Sequence, residues 1–234
     1  MKTKIEIKSI FGDLLFTYEA ENATIKDAIE KAVKERVSLR SADLRLADLR
    51  SANLRLADLR SADLRSADLR SANLRLADLR SANLRLADLS SADLRSANLR
   101  LADLRSADLS SADLRLADLR SADLSSADLR SADLRLADLS SADLSSADLR
   151  LADLRSANLR LADLRSADLP IFCKWDHSIN ENKIQIGCKV KTIEEWDLFF
   201  ASDEVYSTER NTKEFKQIQA VYESYKAYLT FLNK

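Results

Sequence analysis

The chain has 234 residues, 46% of them hydrophobic, and a formal net charge of -1. That balance excludes a disordered polyelectrolyte and leaves room for one or two ordinary domains. Only two Gly and one Pro are present, too few to supply turns in the usual way, so the turns must use other chemistry.

The opening MKTKIEIKSIFGDLL carries a charge at every second position of its first strand-like run. It therefore lacks the apolar core of a signal peptide. TKIEIKS and LLFTYEA flank Gly12-Asp13 and predict a β-hairpin. A helix should follow, capped by Thr24 with Asp27 three residues later, and Ile25, Ala28, Ile29, Ala32 and Val33 form its apolar face. Residues 1–37 are thus expected to be a hairpin-plus-helix cap that seals the next segment.

From Leu39 to Leu169 a leucine recurs at every fifth position without a miss, and an alanine sits two residues before each from Ala42 to Ala167. A period of five fits no standard element. On an α-helix successive leucines would step by about 140° and never form a stripe. On a flat strand they would alternate between faces. The conflict disappears if the chain bends once per repeat, because Ala and Leu then share an inward face. Four corners close a square of 20 residues, and the 26 units make about six and a half coils, stacked at about 4.8 Å into a solenoid about 31 Å long. Residues 38–169 are read as this solenoid, an all-β core whose stability is nearly a sum over neighbouring coils.

Tandem ADLRS, ADLRL and ANLRL resemble the A(D/N)LXX motif of the pentapeptide-repeat family over more than half of the chain. The resemblance implies a right-handed quadrilateral β-helix with Leu and Ala filling a narrow interior. The hand comes from the resemblance alone.

After Pro170, residues 170–234 are expected to form a second cap. IFCKWDH and KIQIGCK surround Ser178 to Asn182 as a hairpin, and a turn centred on Asn180-Glu181 would set Cys173 opposite Cys188. Whether the pair is reduced or bridged stays open; two cysteines in a chain with this much core suggest a reduced, cytoplasmic protein. Thr192 and Glu195 form a capping-box pattern before Trp196, Phe199 and Phe200. A last helix from about Asn211 would line up Phe215, Ile218, Tyr222, Tyr225, Leu229 and Leu232.

Chemistry-bearing residues are sparse. His177, the one histidine, stands beside Asp176 without a serine motif or clustered metal ligands. No phosphate loop, zinc-type cysteine pairs or Cys-His dyad can be read. The expectation is no enzyme, no metal or other cofactor, no small-molecule substrate and no membrane association. The 21 aspartates of the array meet 20 arginines two positions later, which suits turn hydrogen bonding and ion pairing.

The uniform array between varied ends points to a structural scaffold, engineered to idealise the repeat. The alternative is a natural protein-binding module; the resemblance includes members that imitate duplex DNA and inhibit topoisomerases such as gyrase. Such mimicry needs a strongly negative surface, which a near-neutral barrel lacks. The four faces do differ. The one through Leu49 carries seven Asp against four Arg, and the one through Leu54 four Asp against six Arg. The second has an unbroken column from Arg55 to Arg155 at 20-residue steps, flanked by Leu56, Leu76, Leu116 and Leu136. Those four leucines are candidates for a self-association face, the last helix being the other route to a homodimer. Nucleic-acid binding is disfavoured because aspartates dilute the arginines and no aromatics interleave.

Overall fold

One repeat explains the rest. In the computed structural model, described over residues 2–169, 177–180, 183–186, 189–202, 219, 222, 223, 225 and 226, the unit Ala102-Asp103-Leu104-Arg105-Ser106 closes all five of its backbone N–H groups. Ala102 N–H donates across the corner to Leu99 O at 3.0 Å, Asp103 N–H to Ala82 O of the coil before at 3.0 Å, and Leu104 N–H to Asp123 O of the coil after at 2.7 Å. Ser106 N–H reaches Ser125 O of the coil after at 3.1 Å. The last donor, Arg105 N–H, goes to the Asp103 side chain at 3.2 Å. Buried backbone groups must be paired, and the cycle of five leaves no donor over.

The cycle repeats along the array. Parallel bridges join each Asp or Asn to the residue 20 positions later, from Asp43↔Asp63 to Asp148↔Asp168, so four repeats make one coil. Leucines at every fifth position from Leu39 to Leu149 are 2% exposed or less, and the alanines from Ala52 to Ala147 3% or less. Toward the end of the array Leu154 and Ala157 are only partly buried.

The corners show how turns are made without glycine. Every fifth-position residue from Ser41 to Ser166, all Ser or Leu, has a φ between 53° and 64°. Ala N–H bonds back to the Leu three residues earlier. A positive φ at the third turn residue but not the second is the type II pattern, which normally calls for Gly or Asn. Each non-glycine residue held there costs about 1–2 kcal/mol. Burial of one Leu per repeat, about 2 kcal/mol, offsets that cost.

The N-terminal hairpin and helix stand where the spacing predicts them. Strands β1 (Lys2–Lys8) and β2 (Leu14–Glu21) pair antiparallel, with an irregularity between Ile7 and Lys8. Helix α1 (Ile25–Lys34) starts on the reciprocal capping box of Thr24 and Asp27, and Ala28, Ile29 and Ala32 are buried. Its end is a Schellman closure: Arg36 N–H bonds to Val33 O, Val37 N–H bonds to Ala32 O, and Arg36 has a φ of 58°. That positive φ lies five residues before Ser41 and is in phase with every later corner. Val37-Ser38-Leu39-Arg40-Ser41 is accordingly a degenerate repeat, with Leu39 N–H bonded to Asp58 O and Ser41 N–H to Arg60 O.

The first coil has no coil before it, and the N-terminal segment supplies two acceptors in its place. Asp43 N–H donates to Lys8 O at 2.8 Å, and Asn53 N–H to the Glu30 carboxylate at 2.7 Å.

Beyond the array the structure adds a strand. β3 (His177–Asn180), β4 (Lys183–Ile186) and β5 (Lys189–Thr192) form an antiparallel sheet in chain order. Asn180 pairs with Lys183 and His177 with Ile186. In this register each strand residue faces a partner two positions further on than a pairing centred on Asn180-Glu181 would give. This register differs from the one in which Cys173 faces Cys188; both cysteines, and Asp176, lie outside the described residues.

Helix α2 (Ile193–Ala201) begins on the expected capping box of Thr192 and Glu195. Trp196 is fully buried and its indole N–H donates to Ile184 O at 2.9 Å. Tyr222 and Tyr225 of the expected last helix are buried too, and Tyr222 Oη donates to the Asp197 carboxylate at 2.6 Å. Phe215, Ile218, Leu229 and Leu232 fall outside the described residues.

Candidate interaction surface

With Ala and Leu inside, each repeat presents three outward positions: Asp or Asn, Arg or Ser, and the corner residue. The acidic position first completes the backbone. Asp103 Oδ1 and Asn98 Oδ1 accept the N–H two residues on at the same 3.2 Å, which is why the two types interchange. Only Asp then also grips the arginine side chain, as Asp103 does Arg105 through Nε at 2.8 Å and Nη2 at 2.6 Å. This planar two-point pairing is specific to guanidinium and carboxylate.

The charges respond accordingly. The Arg60 guanidinium, helped by the Ser38 hydroxyl, holds the Asp58 carboxyl down to about 2. Asp48 and Asp153 are held at about 2 by Arg50 and Arg155. Asp93 is lowered by Arg95, and the Arg95 guanidinium is raised in turn.

Arginines also lean toward the acid of the following coil, linking coils into ladders. On the Leu54 face one ladder runs through four consecutive arginines. Arg95 Nε lies 3.5 Å from Asp113, Arg115 Nε 3.4 Å from Asp133 and Arg135 Nε 3.6 Å from Asp153, while each also pairs with the acid of its own repeat. Arg155 closes the run on Asp153. On the other faces serine at 90, 110, 125, 140 or 145, or asparagine at 83 or 98, interrupts the ladder sooner. At the N-terminal end of the Leu54 face, Arg55 and Arg75 follow Asn53 and Asn73. Among the described residues neither makes an ion pair; each backbone N–H is held by its asparagine.

The four predicted site leucines stand along the corner beside this column. Leu56 is 61% exposed, Leu76 42%, Leu116 58% and Leu136 57%. Sequence reasoning placed them outside but missed their conformation, since all four hold the positive φ of the corner. It also passed over Leu46, Leu86, Leu101, Leu151 and Leu161, which are exposed at the same repeat position. What sets the first four apart is that they share one corner. A groove of about 570 Å³ follows the column, lined by arginines from Arg75 to Arg155 with Leu116 and Leu136. A smaller cavity of about 340 Å³ continues it at α1, between Glu30, Val33, Lys34, Asn53 and Arg55.

A second groove, of about 740 Å³, runs along the N-terminal part of the Leu44 face between Asp43, Arg45, Leu46, Arg65, Arg85 and Leu86. Among the described residues no group of three or more His, Cys, Asp or Glu side chains could hold a metal ion. No helix among them is long and apolar enough to cross a membrane.

Solved structures similar to this chain include HetL, a pentapeptide repeat protein involved in heterocyst differentiation regulation in the cyanobacterium Nostoc, with 36% identity over 56% of this chain and 73% of that one, at a TM-score of 0.34. A pentapeptide repeat protein of the Arabidopsis thaliana thylakoid lumen is 31% identical over 40% of this chain and 65% of its own, at a TM-score of 0.39. The plasmid-mediated fluoroquinolone resistance protein QnrB1 is 21% identical over 49% of this chain and 73% of its own, at a TM-score of 0.25. Comparison with curated proteins gives no match. The model for pentapeptide repeats matches residues 35–65, 57–95, 97–135 and 132–169, eight copies covering more than half of the sequence. Its first match begins at the helix end, where the degenerate repeat begins, and its last stops at Leu169: the chain belongs to the pentapeptide-repeat family, and with that membership comes the right-handed four-sided coil.

Proposed function

We propose that this chain is a non-catalytic structural scaffold, an idealised repeat array engineered between ordinary end segments, with residues 1–37 and 170–234 serving as caps on the coil of residues 38–169. The carrying observation is that the five-residue cycle is fully used wherever a coil has neighbours on both sides. Ala and Leu fill the interior, Asp or Asn closes the corner, and the backbone donors are spent on neighbouring coils. No inward side chain is left for chemistry. The reading fits a protein of a reducing, cytoplasmic compartment.

A scaffold of equivalent coils should survive removal of one. Deleting residues 101–120, a full 20-residue turn of the ladder, is expected to preserve the circular dichroism spectrum and cooperative unfolding. A chain that no longer folds after that deletion would show that the coils are not interchangeable.

Topoisomerase inhibition by DNA mimicry is the reading this one displaces. The paired Asp and Arg columns support neutrality over a phosphate-like surface. A supercoiling assay with purified protein and gyrase should show no effect, and submicromolar inhibition would reverse the preference. Homodimer formation through Leu56, Leu76, Leu116 and Leu136 is disfavoured on area. A face about 31 Å long and about 10 Å wide falls well short of the roughly 800 Å² per partner of a standard interface. Sedimentation of the protein beside Leu76→Ser with Leu116→Ser tests this: a dimer lost in the variant would restore the leucine corner as the contact.

A further inference from the structure

We propose that the arginine groove of the Leu54 face docks an amphipathic, acidic α-helix of a partner protein. The inference goes beyond the scaffold reading, which stands whether or not anything binds.

Charge complementarity selects the occupant's sign. This face has six arginines to four aspartates, and Arg55 and Arg75 have no ion pair among the described residues. Lys34 of α1 lines the cavity at the same end. The ladder also pre-positions its cations. Arg135 uses Nε and Nη2 on Asp133 at 2.8 and 2.6 Å, and a guanidinium has five N–H donors, so donors remain on a side chain already held in place. Side chains ordered before binding lose less entropy on binding. Within the ladder the middle arginines are the well-packed ones: Arg95, Arg115 and Arg135 are 36%, 37% and 38% exposed, against 75% for Arg155 at its end.

Spacing and shape select a helix. Successive arginines follow the coil stacking, about 4.8 Å, and acidic side chains repeated once per helical turn recur about every 5.4 Å. Over the ladder from Arg95 to Arg155 the mismatch accumulates to about 2 Å, within the reach of a carboxylate on a flexible Glu stem. Extended acidic peptide offers one same-side residue about every 6.6 Å and slips out of register about three times as far over the same arginines. A face about 10 Å wide and about 31 Å long also matches the cross-section and length of a single helix of about 20 residues. The leucines at its edge then meet the helix's apolar row, as in other helix-in-groove contacts.

The test uses the full chain and a fluorescein-labelled helical peptide of about 20 residues, with one Glu per turn beside a row of Leu. Saturable binding by anisotropy is expected, weakened by about tenfold or more in Arg115→Ser with Arg135→Ser. Leu116→Ser with Leu136→Ser should weaken it less, and Arg105→Ser with Arg120→Ser, on other faces, should leave it within about twofold. Serine already stands at this repeat position five times in the array, so the variants are expected to fold, and circular dichroism checks that they do. Four outcomes would overturn the proposal: no saturation at high micromolar peptide, equal binding of a composition-matched scrambled peptide, equal loss in the other-face variant, or tighter binding of single-stranded DNA than of the peptide.

Discussion

In the array a residue's ladder partner lies 20 positions away and the same bond recurs in coil after coil. In the N-terminal hairpin the pairs run outward from Lys8↔Leu14 to Lys2↔Glu21, each set by its distance from one turn. The hairpin and α1 use conventional devices, including Gly12 at a φ of 93° in the turn and a capping box on Thr24. The array replaces glycine with a corner residue forced to positive φ and replaces the cap with an Asp or Asn side chain in every repeat. The difference lies in how cost is spread. A conventional segment avoids local strain, whereas the array accepts it 26 times and recovers it through burial and coil-to-coil bonding that only a stack can supply.

Acid should separate the two regions most. Asp58, Asp93, Asp103 and Asp118 of the array are held below their ordinary value, chiefly by their arginines. The folded chain therefore binds protons less readily than the unfolded one. This contribution is fully present above about pH 4, the ordinary Asp value, and is lost as the pH falls through the folded value of about 2 that Asp58 and Asp153 have. Melting followed by circular dichroism should show a Tm that is flat from pH 7 to 5 and falls steeply below 4. A Tm unchanged down to pH 2 would mean that the ion-pair ladders add nothing to stability.

Next in size is Ser106→Pro. Proline holds φ near -65°, but Ser106 sits at 53° and donates its N–H to Ser125 O. The loss should be about 4 kcal/mol or more, read from denaturant unfolding. Thr24→Ala in the cap of α1 should cost only about 1 kcal/mol. Comparable losses at the two sites would erase the contrast between strained corners and relaxed cap. Between these lies Asp103→Ala, expected to cost about 1–2 kcal/mol because the backbone N–H of Arg105 loses its acceptor. Asp103→Asn keeps that acceptor, as Asn98 does for Arg100, and should cost about 0.5 kcal/mol, the worth of an exposed ion pair.

These substitutions also mark where sequence reasoning stopped. The inward Leu and Ala, the square of 20 residues, both capping boxes and the arginine column were legible because each follows from spacing alone. The dual role of Asp was legible as turn bonding plus ion pairing. The positive φ of the corners was not, since Ser and Leu carry no signal for it and the usual marker, Gly, is missing; it emerges only when four corners must close around a filled interior. The phase match between Arg36 and the array was hidden for the same reason. In the C-terminal sheet, short strands of similar composition allow neighbouring registers, and residue type does not tell a pairing centred on Asn180-Glu181 from the one observed. Of the candidate surface, the leucine corner and arginine column could be read directly, but the coil-to-coil continuity of the ladder required the lean of each Nε toward the next acid.

The smallest effect tests the account of the corners most directly. Ser106→Gly removes the Cβ that makes a φ of 53° unfavourable, which should gain about 1 kcal/mol. Glycine also frees the unfolded chain, which costs about 0.5–1 kcal/mol. The two nearly cancel, so the net change should lie between zero and about 0.5 kcal/mol of stabilisation. At Leu101, another corner at a φ of 60° and 57% exposed, the same substitution should behave alike, because the exposed side chain contributes little burial there. Replacement by Val, whose branched Cβ tolerates positive φ least, should instead destabilise either corner by about 1 kcal/mol or more. If Gly and Val shifted the denaturation midpoint equally at Ser106 and Leu101, strain at the corner would not be what these residues have in common.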